Sequence, residues 1–180
     1  TVAAGTEVVK GIEQAEADFI YELDPDAAAG NGHLGSYFQD EAGQWHSYNQ
    51  GAIIDGQVSN VDLFLNKGFK EGINIEKVSF TKEDIAQIKN NKNHIYIETS
   101  KEQDGNLAKK AFELKETLGQ RKYRLWTNSC VDSTQELSKA GDLLTPLDVD
   151  PRPNKYFEKL KKLQNLNDHS LVPRFSVQLK

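Results

Sequence analysis

The 180-residue sequence has no methionine, one cysteine, four histidines and no apolar run of membrane-spanning length, and each shortage removes a class of protein. A single thiol, Cys130, excludes an internal disulfide. With only His33, His46, His94 and His169 beside it, a structural zinc site is not expected, and neither metal nor cofactor is expected here. Basic residues number 22 against 27 acidic ones, for a net charge of −5, and the lysines are interspersed with acids. That pattern argues against a phosphate-tracking surface, so nucleic acid is not an expected partner. No signal peptide opens the chain, and no stretch is long and apolar enough to suggest a membrane span. The start at Thr1 together with the missing methionine gives the expectation of a fragment or a processed product.

What is present suits a soluble globular protein, with 37% hydrophobic and 27% charged residues on a chain long enough for one core. The expected organisation is a single domain over 1–180. Residues 1–22 form a leading helix, on the mixed helical spacing of Val8, Val9, Ile12, Ala15 and Phe19, and residues 142–180 carry a proline-rich loop, a short helix and a tail.

The lone cysteine stands at a structured place. From Cys130 onward Val131, Thr134, Leu137 and Ala140 recur at helical spacing, Thr127 or Asn128 is available as N-cap, and Gly141 as a stop. Cys130 therefore falls in the first turn of a helix. There the unpaired backbone N–H groups and the positive end of the dipole favour thiolate over thiol and are able to hold a developing oxyanion. A small buried hydrophobe is the competing role for a lone cysteine.

A second site lies far upstream. Residues 32–50 read as an aromatic β-hairpin turning at Asp40 to Gly43, with His33 at its start. If Gly43 takes the left-handed position of a three-residue turn with a bulge, Asp40 flanks Gln44 and Gly35 faces Asn49. Asn49 then lies diagonally across from His33 on the same side and is placed to orient the imidazole. A two-residue turn would shift the register by one, putting Gln50 opposite His33 and His46 further along the same face.

The remaining chain reads as a helical turn over 60–66, a strand over 72–80, and a helix from a Thr81–Asp84 capping segment to Lys89. The strand His94 to Thr99 follows, then an amphipathic helix from Ser100 to Leu118 and a short strand over 122–126 leading into the Cys130 helix. A short helix over 153–163 carries Lys155, Lys159, Lys161 and Lys162 as a solvated basic face.

The order of these motifs resembles the C-terminal domains of Rhs-type polymorphic toxins. Its elements are Gly32-His33-Leu34-Gly35, the aromatic hairpin, a strand ending Glu98-Thr99-Ser100 before Asp104, the Asn128-Ser129-Cys130 helix start, and Pro151 to Phe157, so that it covers most of residues 20–160. It implies an α+β fold of circularly permuted papain-like type, a small antiparallel sheet packed against helices, with the histidine strand preceding the cysteine helix. A looser similarity to lecithin:retinol acyltransferase-like hydrolases implies a site of His33, His46 and Cys130. Ser129 intervenes in the Asn-Cys pattern of that group, and His46 is one residue off its spacing. The resemblance further implies bacterial origin, secretion or injection into a recipient cell, a target there, a cognate immunity protein and a parent Rhs-type shell.

The chemistry expected of such a site is acyl transfer. A Cys130 thiolate attacks an acyl carbon, His33 carries the proton from thiol to leaving group, and Asn49, His46 or Gln50 holds the ring in its tautomer. Peptidase, amidase and acyl-hydrolase activities share these parts. The alternatives are a non-catalytic binding module, in which Cys130 is core and Tyr37, Phe38, Trp45 and Tyr48 form a core or ligand platform, and a metal-dependent nuclease toxin built on Glu98 and Asp104.

Overall fold

The computed structural model describes residues 17–30, 32–54, 57–59, 69–117, 122–123, 129–147 and 151–169. Strand β1 (Ala17–Asp24) leads through a short helix α1 (Ala27–Gly30) to β2 (His33–Gln39), which turns into β3 (Trp45–Ile54). After β4 (Gln57–Ser59) and β5 (Phe69–Val78) come α2 (Lys82–Asn90), β6 (His94–Thr99) and α3 (Lys101–Thr117). The chain continues through β7 (Lys122–Tyr123), α4 (Cys130–Ala140) and α5 (Pro153–His169).

All strand pairs are antiparallel, in the order β6-β1-β2-β3-β5-β7 with β4 beside β3. The fold is therefore α+β, as expected. Helices α3, α4 and α5 pack on the central strands. Between them lies one cluster in which Tyr21, Leu34, Phe38 and Tyr48 of the sheet meet Leu107 and Leu114 of α3, Cys130 and Leu137 of α4, and Tyr156 and Leu160 of α5.

The leading helix over 1–22 is corrected at its end: residues 17–22 belong to β1, and the earlier ones lie outside the described residues. Phe19 falls on a helical stripe by spacing, but the segment is paired on both sides, to β2 and to β6, and buries Phe19, Ile20 and Tyr21 completely. Asp18, Glu22 and Asp24 alternate with Phe19, Tyr21 and Leu23, and only Ile20 interrupts a period of two that the helical spacing of the apolar residues before it overrode. The helical turn expected over 60–66 and the tail beyond His169 also lie outside the described residues. The helix expected over 153–163 runs on to His169.

The β2–β3 turn settles the register on which the site depends. Gly43 adopts φ +79°, its N–H donates to Asp40 O at 2.8 Å, and Asp40 N–H donates to Gln44 O at 3.0 Å. Asp40 Oδ1 also accepts from the N–H groups of Ala42 and Gln44. Ser36 consequently faces Tyr48 and Phe38 faces His46, the bulged register and not the two-residue one.

Candidate active site

His33 is delivered by a loop with little freedom. Gly32 has φ +89°, a region that L side chains avoid, and its N–H closes a turn on Ala27 O at 3.0 Å. Asn154, at the start of α5, donates through Nδ2 to Gly30 O at 2.9 Å and to Pro25 O at 3.4 Å, and a Cβ on Gly32 would collide with its side chain. The segment from Pro151 to Phe157 thus clamps the loop that carries the histidine, while Tyr156 and Phe157 anchor the clamp in the core.

Cys130 is delivered by α4. Its N-cap is Ser129, in extended conformation, and the Asp132 carboxylate accepts from Ser129 N–H at 2.8 Å and from Ser129 Oγ–H at 2.9 Å. Thr127 and Asn128, read as caps from the sequence, lie outside the described residues. Four residues apart along the helix, Cys130, Thr134 and Ser138 share one face. Ser138 accepts a hydrogen bond from Tyr21 of β1 at 2.6 Å and donates to Thr134 O at 2.7 Å, which fixes the helix against the sheet. Gly141 ends α4 without a left-handed turn; a Cβ there would press into Leu107 at 2.7 Å, so close packing against α3 selects the glycine.

These two deliveries bring Cys130 and His33 into hydrogen-bonding contact. On its other side His33 meets Asn49, with Nε2 3.3 Å from Asn49 Oδ1. An amide oxygen only accepts, so Nε2 carries the proton on that side, and Nδ1 is the nitrogen left for a second partner. Burial by itself pulls the His33 pKa down. The Cys130 hydrogen bond and charge, then the Asn49 hydrogen bond and the Asp24 carboxylate, outweigh it and hold the imidazole above its ordinary value.

Gly35 makes room for this arrangement. A Cβ at that position would lie 2.5 Å from Asn49 Oδ1. Neither Gly35 nor Asn154 stood out in the sequence as part of the site, although each belongs to a motif that did.

The other candidates are not brought to this place. His46 is paired with Asp40, Nε2 to Oδ2 at 2.9 Å, stacks on Phe38 at 5.2 Å between centroids and meets the edge of Phe112. As the cross-strand partner of Phe38 it belongs to the core face of β3, whereas Asn49 is three residues on and faces the other way. His46 is therefore corrected from a site residue to a brace of the hairpin. Gln50 also lies on the face opposite Asn49, is 1% exposed, and among the described residues has no hydrogen-bond partner on either amide atom. Glu98 is exposed, while Asp104 is turned inward to accept from Thr99 at 2.6 Å, so these two acids do not converge. Among the described residues no group of three histidine, cysteine or acidic side chains is placed to hold a metal ion, and no helix is long and apolar enough to cross a membrane.

No protein-family model matches the chain, and neither a curated protein nor a solved structure matches it.

Proposed function

We propose that the chain is a cysteine hydrolase with Cys130 as nucleophile, His33 as general acid and base, and Asn49 as the group that holds the ring. The observation that carries this reading is the Cys130–His33–Asn49 chain of contacts at the start of a helix. In the proposed reaction the Cys130 sulfur attacks an acyl carbon and its proton resides on His33 Nδ1. The tetrahedral intermediate collapses as His33 returns that proton to the leaving amine or alcohol. Water, deprotonated by His33, then attacks the thioester and regenerates the thiol. The order of histidine strand before cysteine helix, on an antiparallel sheet backed by helices, supports a circularly permuted papain-like arrangement. The role as an Rhs-type effector domain, delivered into a rival cell and neutralised by an immunity protein, rests on the motif order alone.

One observation favours the binding-module reading: Cys130 has no exposed surface and belongs to the hydrophobic cluster, as a packing residue would. Substrate can reach the sulfur only if its surroundings open. The test is toxicity in a recipient cell, or turnover of acyl substrates, for Cys130→Ala, Cys130→Ser, His33→Ala and the double variant. The expected outcome is total loss in each, with no further loss in the double, because the two groups act as one unit. Full activity in a folded Cys130→Ala protein would end the enzyme reading.

A further inference from the structure

Gln50 of β3 is 1% exposed, and among the described residues neither its Nε2 nor its Oε1 has a hydrogen-bond partner. A buried amide left this way destabilises a fold relative to an apolar side chain of similar length. Such a group calls for a partner that arrives with a ligand.

Its place follows from register. Tyr21, Ser36 and Tyr48 make one row across β1, β2 and β3, and Tyr21 reaches Ser138 of α4, so this is the face that α4 covers. Gln50, two residues after Tyr48, points to the same face. Helix α4 packs on β2 and β3, its later part is tied to β1 through Ser138, and Cys130, about 12 Å earlier along the helix, touches His33 at the start of β2. The first turn of α4 is therefore the part that lies over β2 and β3. There Gly35 stands beside Asn49, which makes Leu34 the cross-strand neighbour of Gln50. Leu34 and Cys130 belong to one buried cluster together with Ile73, the partner of Gln50 on β5. Ser36 Oγ and Thr134 Oγ1 are buried on this seam without partners as well, so neither of them serves Gln50. Two neighbouring amides of β3 thus stand on opposite faces, Asn49 on the His33 ring and Gln50 on the side of the Cys130 helix.

We propose that Gln50 is a catalytic residue whose Nε2–H groups donate to the oxygen of the tetrahedral intermediate formed at Cys130; the assignment rests on the hydrolase reading above. As the Cys130 sulfur bonds the acyl carbon, the carbonyl π pair moves onto the oxygen, and the thiol proton is on His33. Gln50 donates to that oxygen without giving up a proton, beside the first-turn N–H groups of α4, which have no acceptor within the helix. When the bond to the leaving group breaks, the pair returns to the carbonyl and the hydrogen bond weakens. An amide with no partner in the resting protein makes its strongest bond only as the oxygen gains charge, so it lowers the barrier more than it tightens binding.

The test compares two reactions of the same thiol, read by intact mass on native protein. Acetylation by p-nitrophenyl acetate passes through an oxyanion, whereas alkylation by iodoacetamide displaces iodide at a saturated carbon and forms none. Both are followed in wild type, Gln50→Met and Gln50→Leu, with the melting temperature and the His33 titration by NMR. Expected in both variants is acetylation slowed on the order of a hundredfold, with alkylation and the His33 titration as in wild type. The melting temperature should hold or rise, because the variants remove an unpaired buried amide. Acetylation at the wild-type rate, or acetylation and alkylation that fall together, overturns the proposal and leaves the hydrolase reading standing. A marked drop in melting temperature in both variants marks a structural amide and overturns it too. A wild-type thiol that is alkylated but never acetylated removes the hydrolase reading, and this role with it.

Discussion

Gly35→Ala separates the orienting role of Asn49 from general stability. The new Cβ would lie 2.5 Å from Asn49 Oδ1, well inside contact distance, and the atom it meets is the end of a half-buried side chain, so it is that side chain that must shift. Asn49 therefore swings away and its hydrogen bond to His33 breaks. The loss costs about 1 kcal/mol, and replacing a strand glycine by alanine returns about 0.5–1 kcal/mol, so the melting temperature should move little. The imidazole should respond more. Without the Asn49 hydrogen bond, one of the interactions that raise its pKa is gone, and the His33 ring resonance followed by NMR should titrate at a lower pH than in wild type. Turnover should fall on the order of tenfold for each ~1.4 kcal/mol of lost orientation, with a measurable residue of activity, since an orienting group does not itself react. Asn49→Ala should reproduce both effects. An unchanged His33 titration in a folded Gly35→Ala protein would show that Asn49 does not hold the ring.

Cys130→Ala should lower the His33 pKa more than Asn49→Ala does, because Cys130 contributes more of the upward shift. A pKa raised on folding stabilises the fold below the ordinary value of 6.5, and that contribution is lost as pH rises through the folded pKa. Wild type should therefore show a loss of stability over that window in chemical denaturation that Cys130→Ala lacks. His46→Ala removes the Asp40 pair and the Phe38 stack, so it should destabilise by about 1–3 kcal/mol in a denaturant titration while leaving the His33 pKa unchanged. Asp104, buried and near Asp18 and Asp40, has its pKa pushed up to about 6 from 3.8, so the folded state holds that proton longer. Stability from this group falls as pH rises from about 4 to above 6, and Asp104→Asn should flatten that slope in a melt series.

The hairpin was legible because a single glycine decides its turn, and the turn decides which side chain stands beside His33. The spacing implied by the resemblance to acyltransferase-like hydrolases pointed instead to His46, and no count of residues shows that Asp40, held by two backbone N–H groups, turns its other carboxylate oxygen to that ring. The N-terminus of α4 was legible from periodicity to within a residue. The cap moved to Ser129 because Asp132 is three residues later, where its carboxylate reaches back. Strand β1 was misread because Ile20 interrupts the alternation of Asp18, Glu22 and Asp24 with Phe19, Tyr21 and Leu23, and the apolar residues before it fit a helical spacing. The contact of Cys130 with His33 depends on the docking of α4 and α5, through Ser138 to Tyr21 and Asn154 to the loop before His33, and such long-range partners leave no local pattern.

The measurement that bears most directly on the Cys130–His33 pair is the pH profile of Cys130 alkylation by iodoacetamide, read by intact mass on native protein, in wild type and His33→Ala. Burial of the sulfur sets a slow overall rate, but the shape of the profile reports the pair. At about pH 6 a free thiol is almost wholly protonated, whereas one that has given its proton to a neighbouring imidazole still reacts. Wild type should retain reaction there, and His33→Ala should react only as pH approaches the ordinary thiol range. Identical profiles in the two proteins, or a thiol inert at every pH until denaturant is added, would contradict the account.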